Sequence, residues 1–277
     1  MLGGARIPAL SARARAHRAR RPILRPGTGP GGRIHGLILA AGEGSRLAAD
    51  GVREPKPFVP IAGVPQIVRL AATMRDLGCP TVTAVLREDL VPRLGASPPF
   101  TCVPARTPTS LHTLVRGFDA VAPGPVFCSM VDSVMADGDW SRLFAACRRS
   151  LDRGSTAVLA VTPLTTGDAA LHATIDASGR VQSLGAAPGP SGRVTGGVYA
   201  FAPAARPLAR RAVSEGVERM RGYLAWLLEQ ACPVDAVEVE RIVDVDRAAD
   251  VPLAETVLGA TTFPARASDA PTRATDS

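Results

Sequence analysis

The chain has 277 residues, of which 46% are hydrophobic and 21% are charged, a balance typical of soluble globular proteins. Its formal net charge of +7 arises from residues 1–33, which carry eight arginines and no acidic residue, so the rest of the chain is close to neutral. Such a chain lacks the basic surface that nucleic-acid binding needs, and it contains no apolar stretch of roughly 20 residues that would cross a membrane.

Residues 1–33 are predicted to be a disordered, arginine-rich extension, because they have too little apolar periodicity to build a core. An acid-poor segment of this kind also resembles a transit peptide, and Arg20-Arg21 matches part of a twin-arginine signal, but no apolar region follows it. A disordered extension, or an upstream translation start, is the favoured interpretation. Residues 34–261 are predicted to form the folded domain, and residues 262–277 a disordered tail.

Residues 34–41 form the first predicted strand, a short apolar run of the kind that is buried on both faces of a parallel sheet. The small residues that follow let the backbone approach a ligand closely. Gly42 and Gly44 can adopt positive φ values, which turn successive N–H groups toward one point. This glycine loop, residues 40–44, is therefore predicted to bind phosphate.

Two basic side chains accompany the glycine loop. Arg46 lies two residues after Gly44, and Lys56 stands between Pro55 and Pro57, which fix its backbone. Lys56 is the single lysine among 32 lysine and arginine residues. In a chain so biased toward arginine, this lysine indicates a position that requires a compact ammonium group and not a planar guanidinium.

Three other interpretations of the glycine loop exist. A dinucleotide-binding turn needs a third glycine at position 47 and an immediate long helix, but the residue is Leu47, and Asp50-Gly51 with Pro55 end any helix early. The P-loop pattern is absent because no Lys-Ser or Lys-Thr follows a glycine. An ordinary glycine-rich loop with a surface lysine stays open as the third interpretation.

The pattern L-A-A-G-x-G-x-R-L over residues 39–47, followed by P-K-P over residues 55–57, resembles the signature of nucleotidyltransferases that join an NTP to a phosphorylated acceptor, the sugar-1-phosphate and phosphocholine type. The segment 58–65 also resembles that family. The resemblance implies catalytic roles for Arg46 and Lys56. It implies nucleotide binding by Leu39, Ala40, Ala41, Gly42, Glu43, Gly44, Ser45 and, farther along the chain, Ser110.

The next elements alternate between helix and strand, which predicts a parallel α/β sheet. Helices are predicted over 66–77, 111–121 and 139–153, and strands over 81–86, 100–103, 126–131 and 155–162. Ser110 or Thr109 would cap the second of these helices near the nucleobase. His112 is interpreted as a structural residue.

Asp132 directly follows a buried strand, so it is expected at the carboxyl edge of the sheet, where ligands bind. A magnesium ion bound to a triphosphate needs one or two carboxylates, and Asp132 suits that role, although it could also cap the following turn. The family usually has Gly-Asp here, whereas this chain has Val131. The resemblance implies that Asp244, in the closing segment, supplies the second metal ligand. Asp246 and Asp250 are interpreted as turn and cap residues.

The acceptor side of the domain is predicted to be a β-hairpin over 173–175 and 181–184 and a strand over 195–201. Gly197 would let an acceptor lie against the backbone. Many sugar-nucleotide enzymes of the family have a lysine there that binds the acceptor phosphate. This chain has no second lysine, and Arg193 is the nearest basic candidate.

Near the end of the chain, two helices are predicted over 204–212 and 223–230, two strands over 234–239 and 242–245, and a last helix ending near residue 258. The five cysteines have no C-x-x-C spacing and are predicted to be buried thiols in a reducing cytoplasm.

The predicted fold is a Rossmann-like three-layer α/β sandwich with a mostly parallel sheet and a small β-hairpin on the acceptor side. The predicted function is transfer of NMP from an NTP to a phosphorylated sugar or alcohol, with Mg²⁺ as cofactor, release of pyrophosphate and a place in nucleotide-sugar biosynthesis. The alternative is a non-catalytic, nucleotide-binding regulator of the same fold. Base, acceptor and oligomeric state stay open.

Overall fold

A computed structural model describes residues 32–163, 171–187 and 192–259. The predicted N-terminal extension, apart from its last two residues, and the predicted tail lie outside this part, so the domain boundaries stay predictions. No helix in the three described ranges is long and apolar enough to cross a membrane.

The strands agree with the predicted ones in position, and most bounds differ by one or two residues. They are β1 (His35–Ala40), β2 (Pro60–Ile61), β3 (Val64–Pro65), β4 (Val82–Leu86), β5 (Thr101–Pro104), β6 (Val126–Met130), β7 (Ser133–Val134), β8 (Ala157–Thr162), β9 (His172–Ile175), β10 (Val181–Gly185), β11 (Arg193–Phe201), β12 (Val234–Glu238) and β13 (Val243–Asp244). The two-residue strands β2, β3 and β7 were missed, because they are too short for any apolar periodicity to show.

Seven α-helices are found in the described ranges. They are α1 (Ser45–Ala49), α2 (Gln66–Asp76), α3 (Ser110–Ala120), α4 (Asp137–Asp152), α5 (Ala205–Ser214), α6 (Met220–Glu229) and α7 (Asp250–Val257). The helix after the glycine loop does end early, as the Asp50-Gly51 pair predicts. Short 3₁₀ turns cover Lys56–Phe58 and Glu88–Arg93.

Nine strands form one mixed sheet with β1 near its centre. The order is β10-β9-β11-β6-β1-β4-β5, and β8 pairs with both β11 and β12. Strands β6, β1, β4 and β5 run parallel, as do β8 and β12, whereas β11 is antiparallel to each of its neighbours. The predicted hairpin is confirmed as the antiparallel pair β9–β10.

Helices cover both faces of this sheet. One core cluster packs α2 and α4 against one face, and a second packs α3, α5 and α6 against the other. Every residue of β1 is buried, which explains its continuous apolar run. Helix α3 lies especially close to β1, since a Cβ added to Gly117 would come within 2.6 Å of Leu37 Cδ1. These three layers confirm the predicted α/β fold.

A third, smaller core cluster joins segments that are far apart in the chain. It contains Leu47 of α1, Val59 and Ile61 after the proline-flanked lysine, and Val243 and Val245 of the closing segment. These residues belong to the same stretches as the candidate site residues. Their packing therefore brings the glycine loop, Lys56 and the closing aspartates to one place.

All five cysteines lie in the described residues and are unpaired. Cys79, Cys128 and Cys147 are buried as predicted, and burial raises the pKa of each thiol, to about 12 for Cys79. Cys102 and Cys232 are only partly buried, so the prediction is wrong for these two.

Candidate active site

The glycine loop leaves β1 at the carboxyl edge of the sheet and leads into α1. Gly44, at the N-cap of α1, has φ of +66° and ψ of +29°, a left-handed conformation that favours glycine. A Cβ added there would lie 3.0 Å from the Cβ of Lys56. Glycine is therefore required at position 44 both by its backbone conformation and by the close approach of Lys56.

Lys56 is the best-enclosed basic side chain at this site, with 14% of its side chain exposed. Its Nζ lies 2.5 Å from Asp132 Oδ2 and also contacts Asp246 Oδ1. Burial lowers the pKa of this amine, but the attraction of Asp132 and Asp246 outweighs it and raises the pKa overall. The lysine is therefore a fixed positive charge beside the glycine loop.

The interpretation of Asp246 as a turn residue is wrong. Its carboxylate contacts Lys56 and accepts a hydrogen bond from Arg46 Nη1 at 3.1 Å, so it joins the two predicted catalytic cations. Asp250 does hold the turn, because its Oδ2 accepts hydrogen bonds from the backbone N–H groups of Asp246 and Arg247. Asp244 and Asp246 stand two positions apart, a spacing that puts two side chains of an extended segment on one side.

Asp244 lies next to Asp132 because β13 pairs with β7, placing Asp244 opposite Ser133. The hydroxyl of Ser133 donates a hydrogen bond of 3.0 Å to Asp244 Oδ1. Burial, and after it the negative charge of Asp132, raise the pKa of Asp244 well above its ordinary value. The predicted metal residues are therefore neighbours, and their like charges repel.

Two carboxylates thus contact Lys56, and Asp244 lies beside them. Carboxylate oxygens are the donors that Mg²⁺ prefers. Within the described ranges, no group of three or more His, Cys, Asp and Glu side chains is arranged to hold a metal. Mg²⁺ bound through a triphosphate needs only one or two protein carboxylates, and its charge would relieve the repulsion between Asp132 and Asp244. The residues present fit the ion.

A cavity of about 490 Å³ opens beside these groups. Most of the residues predicted to bind nucleotide line it, together with both predicted catalytic residues. They are Leu39, Ala41, Gly42, Glu43, Gly44, Ser45, Arg46, Lys56 and Ser110. Ala40 does not, because its side chain is 1% exposed and packs into the core behind the strand. The side chain of Ala40 therefore does not line the cavity, and nucleotide binding by this residue stays a prediction.

The second wall of the cavity was only partly predicted. Thr107, Pro108, Thr109, Thr113 and Met130 line it together with Arg219, which no motif in the sequence had indicated. Thr109 is the N-cap residue of α3, but its hydroxyl makes no capping bond; it donates instead to the carbonyl of Glu218. His112 Nδ1 lies 2.8 Å from Thr109 Oγ1, in keeping with its structural interpretation.

The acceptor-side residues are placed differently. Arg193 Nε donates a 2.7 Å hydrogen bond to Glu238 Oε2 of β12. The space beside Gly197 is filled by the protein itself, since an added Cβ would clash with Ser133 Oγ and lie 2.9 Å from Met130 Cβ. Packing between β11, β6 and β7 thus explains this glycine, and acceptor contact by either residue stays a prediction.

The profile of MobA-like NTP transferase domains matches residues 36–218. This range includes the glycine loop, Lys56, Ser110 and Asp132, and it ends just before Arg219 and well before Asp244. No curated protein sequence matches the chain significantly.

Solved structures of similar shape include two proteins whose names refer to a sugar phosphate or a polyol phosphate. The inositol-1-phosphate CTP transferase from T. maritima has a TM-score of 0.64 and 14% identity, over 83% of this chain and 98% of its own. A putative glucose-1-phosphate thymidylyltransferase from Bacillus anthracis, solved with sucrose, has a TM-score of 0.67 and 14% identity, over 84% and 98% of the two chains. At this identity the likeness supports the fold.

Proposed function

The chain belongs to the family of MobA-like NTP transferase domains, and from that premise we propose that it transfers NMP from an NTP to a phosphorylated small molecule and releases pyrophosphate. Two proteins of the same fold carry names that describe this reaction type, with inositol-1-phosphate and glucose-1-phosphate as acceptors. A phosphorylated sugar or polyol is therefore the acceptor class that we propose for this chain.

One observation carries the proposal. Lys56 stands at the wall of the cavity beside Gly44, with its amine held by Asp132 and Asp246. Residues from four separate parts of the chain thus bring a fixed cation, the glycine loop and a carboxylate cluster together. This combination is what transfer of a nucleotidyl group between phosphates requires.

The acceptor phosphate oxygen attacks the α-phosphorus in line, and the bond to the pyrophosphate oxygen breaks. Because the attacking oxygen is already an anion, no strong general base is needed, and the protein contributes positioning and charge neutralisation. We assign Lys56 to the α-phosphate, where charge develops, and Arg46, which is 58% exposed at the rim, to the β- and γ-phosphates. The backbone N–H groups of the glycine loop would hold the phosphates from the other side.

Asp132 and Asp244 would hold Mg²⁺, as the family resemblance implies. Asp246 is a third candidate because, unlike those two, it lines the cavity itself. When bound, the ion neutralises phosphate charge and fixes the shape of the triphosphate. Asp246 and Asp132 are also the counter-ions of Lys56.

The non-catalytic alternative is not favoured, because a regulator that only binds nucleotide has no need of clustered carboxylates that repel one another. The described part of the chain has no membrane-spanning helix. We propose a cytoplasmic location, which the unpaired cysteines support.

Pyrophosphate release tests the proposal. Each of the four NTPs would be combined with a panel of phosphorylated sugars, polyols and aminoalcohols in the presence of Mg²⁺. We expect pyrophosphate release that requires one class of acceptor. Lys56→Ala is the matched control and should be inactive. Absence of acceptor-dependent release across the whole panel would contradict the proposed reaction.

A further inference from the structure

The segment that carries Arg219 is fastened to the start of helix α3. Leu111 N donates a 3.2 Å hydrogen bond to the carbonyl of Glu218, and Thr109 Oγ1 donates to the same carbonyl. On the other side, Met220 N donates to Ser110 Oγ at 3.0 Å. Both sequence neighbours of Arg219 are therefore tied to the cavity wall, and the arginine is held above it.

The side chain of Arg219 has a different environment from its backbone. It is exposed and lines the cavity. Its backbone carbonyl accepts a hydrogen bond from Tyr223 N, which anchors it at the start of α6. Within the described residues its guanidinium takes part in no hydrogen bond or ion pair. A fixed backbone and five unused N–H donors are features expected of a side chain that binds a ligand.

The hydroxyls on the same wall are already engaged. Thr107 Oγ1 and Thr113 Oγ1 lie 2.6 Å apart in a mutual hydrogen bond. Thr109 Oγ1 is bonded to the carbonyl of Glu218, and Ser110 Oγ accepts from Met220 N. Arg219 is thus the polar side chain on this wall whose hydrogen-bonding capacity is fully available.

We propose that Arg219 is a specificity-determining residue that selects the nucleobase of the NTP, favouring a base with two adjacent hydrogen-bond acceptors. This inference rests on the proposed function, since it takes the cavity as the NTP site. A guanidinium offers only donors, in a fixed fork. Guanine presents N7 beside O6, the pair that arginine binds in bidentate fashion, and cytosine presents N3 beside O2.

The same set of guanidinium donors disfavours adenine and uracil. Adenine places an amino donor next to N7, and uracil places an N–H donor next to O4, so one arm of the guanidinium would face a donor. A site that leaves a polar group unpaired rejects the wrong ligand more strongly than a purely apolar one. The preference therefore comes from Arg219 and not from the glycine loop, which contacts phosphate common to all four NTPs.

Direct binding tests this without any knowledge of the acceptor. The dissociation constants of GTP, CTP, ATP and UTP would be measured by calorimetry with Mg²⁺ and the full-length protein. We expect GTP or CTP to bind at least about tenfold more tightly than ATP and UTP, which is the scale of one bidentate pair. Which of the two binds more tightly identifies the base.

Three variants separate the contact from a general charge effect. Arg219→Ala should weaken the preferred NTP about tenfold and leave ATP and UTP within about twofold, so that the preference disappears. Arg219→Lys should keep the charge but not restore the preference, because an ammonium lacks the fork. Arg116→Ala removes an exposed arginine of α3 that does not line the cavity, and it should change nothing.

Equal weakening of all four NTPs in Arg219→Ala would overturn the inference, since it would show contact with phosphate or ribose. Unchanged binding of all four, or a wild-type preference for ATP or UTP, would overturn it as well. These outcomes are separate from the proposed function. If Arg219 controls base choice in binding but no acceptor supports pyrophosphate release, the inference stands and the proposed reaction fails.

Discussion

The glycine-loop side and the acceptor side of this domain are built on different principles. On the first side, the left-handed backbone at position 44 requires glycine. Lys56 lies between two carboxylates, and 14% of its side chain is exposed. On the second, Arg193 lies in a partly exposed ion pair, and Gly197 makes room for neighbouring strands. The first is organised around the charge of Lys56 and its carboxylate partners, and the second around the packing of neighbouring strands.

This difference teaches that a residue's type alone does not reveal its role. A glycine favours ligand contact where its φ is positive and a charged group stands next to it, the arrangement found at position 44. It signals packing where the missing Cβ is replaced by a protein side chain, as at position 197. Substitutions on the two sides should therefore fail in different ways: turnover on the first, folding or acceptor affinity on the second.

The largest effect is expected at Lys56. Lys56→Arg should lower turnover nearly as much as Lys56→Ala, on the order of a hundredfold, because a longer planar group cannot sit between Asp132 and Asp246 and misplacement by about 1 Å is that costly. Turnover and NTP affinity would be measured at saturating Mg²⁺. Near wild-type turnover in Lys56→Arg would show that any cation suffices.

The next largest effect is expected at the three aspartates of the site, Asp132, Asp244 and Asp246. Asp132→Asn, and at least one of Asp244→Asn and Asp246→Asn, should raise the Mg²⁺ concentration needed for half-maximal turnover by about tenfold or more, since even residues that only support metal ligands cost that much. Thermal melting serves as the folding control. A variant whose Mg²⁺ requirement is unchanged identifies a residue that is not a ligand.

A smaller, purely structural effect is expected at Gly197. Gly197→Ala should lower the free energy of unfolding by about 1 kcal/mol or more, because the new Cβ is crowded by Ser133 and Met130. Gly185→Ala is the matched control, since nothing lies within 4 Å of its added Cβ, and it should stay within about 0.5 kcal/mol. Chemical denaturation measures both; equal stability of the two variants would remove the packing explanation.

The smallest effect is expected at Arg193. Arg193→Ala should raise the KM for the acceptor identified by the pyrophosphate panel severalfold, with NTP affinity and stability nearly unchanged, because its pair with Glu238 is partly exposed and such pairs contribute about 0–1 kcal/mol. Glu238→Ala breaks the same pair without removing the cation. Identical acceptor kinetics in the two variants would show that Arg193 serves only the ion pair.

Much of the fold could be predicted from the sequence, because β1, β4, β6 and β8 are buried on most of their length and read as apolar runs. The glycine loop and Lys56 could be predicted because their function depends on local backbone and on chain neighbours. The position of Asp132 could be predicted because it directly follows a buried strand, and ligands bind at the carboxyl ends of parallel strands.

What was missed depends on contacts between distant segments. Arg219 reaches the cavity because Glu218 and Met220 are hydrogen-bonded to residues more than a hundred positions earlier, and no local pattern encodes that. Asp246 and Asp250 carry the same interpretation, as turn and cap residues, and only the folded closing segment brings Asp246 to Lys56. The spacing of two between Asp246 and Asp244 was the available signal that both carboxylates face one side.

The central claim is that Lys56 and its surroundings support transfer of a nucleotidyl group to a phosphorylated acceptor. The most direct test supplies NTP labelled either at the α- or at the γ-phosphorus, together with the acceptor class found in the panel, to wild-type protein and Lys56→Ala. The account predicts that the α label appears in the acceptor product and the γ label in pyrophosphate, and that Lys56→Ala loses both. Recovery of the γ label in the acceptor, or in inorganic phosphate without any labelled product, would contradict it.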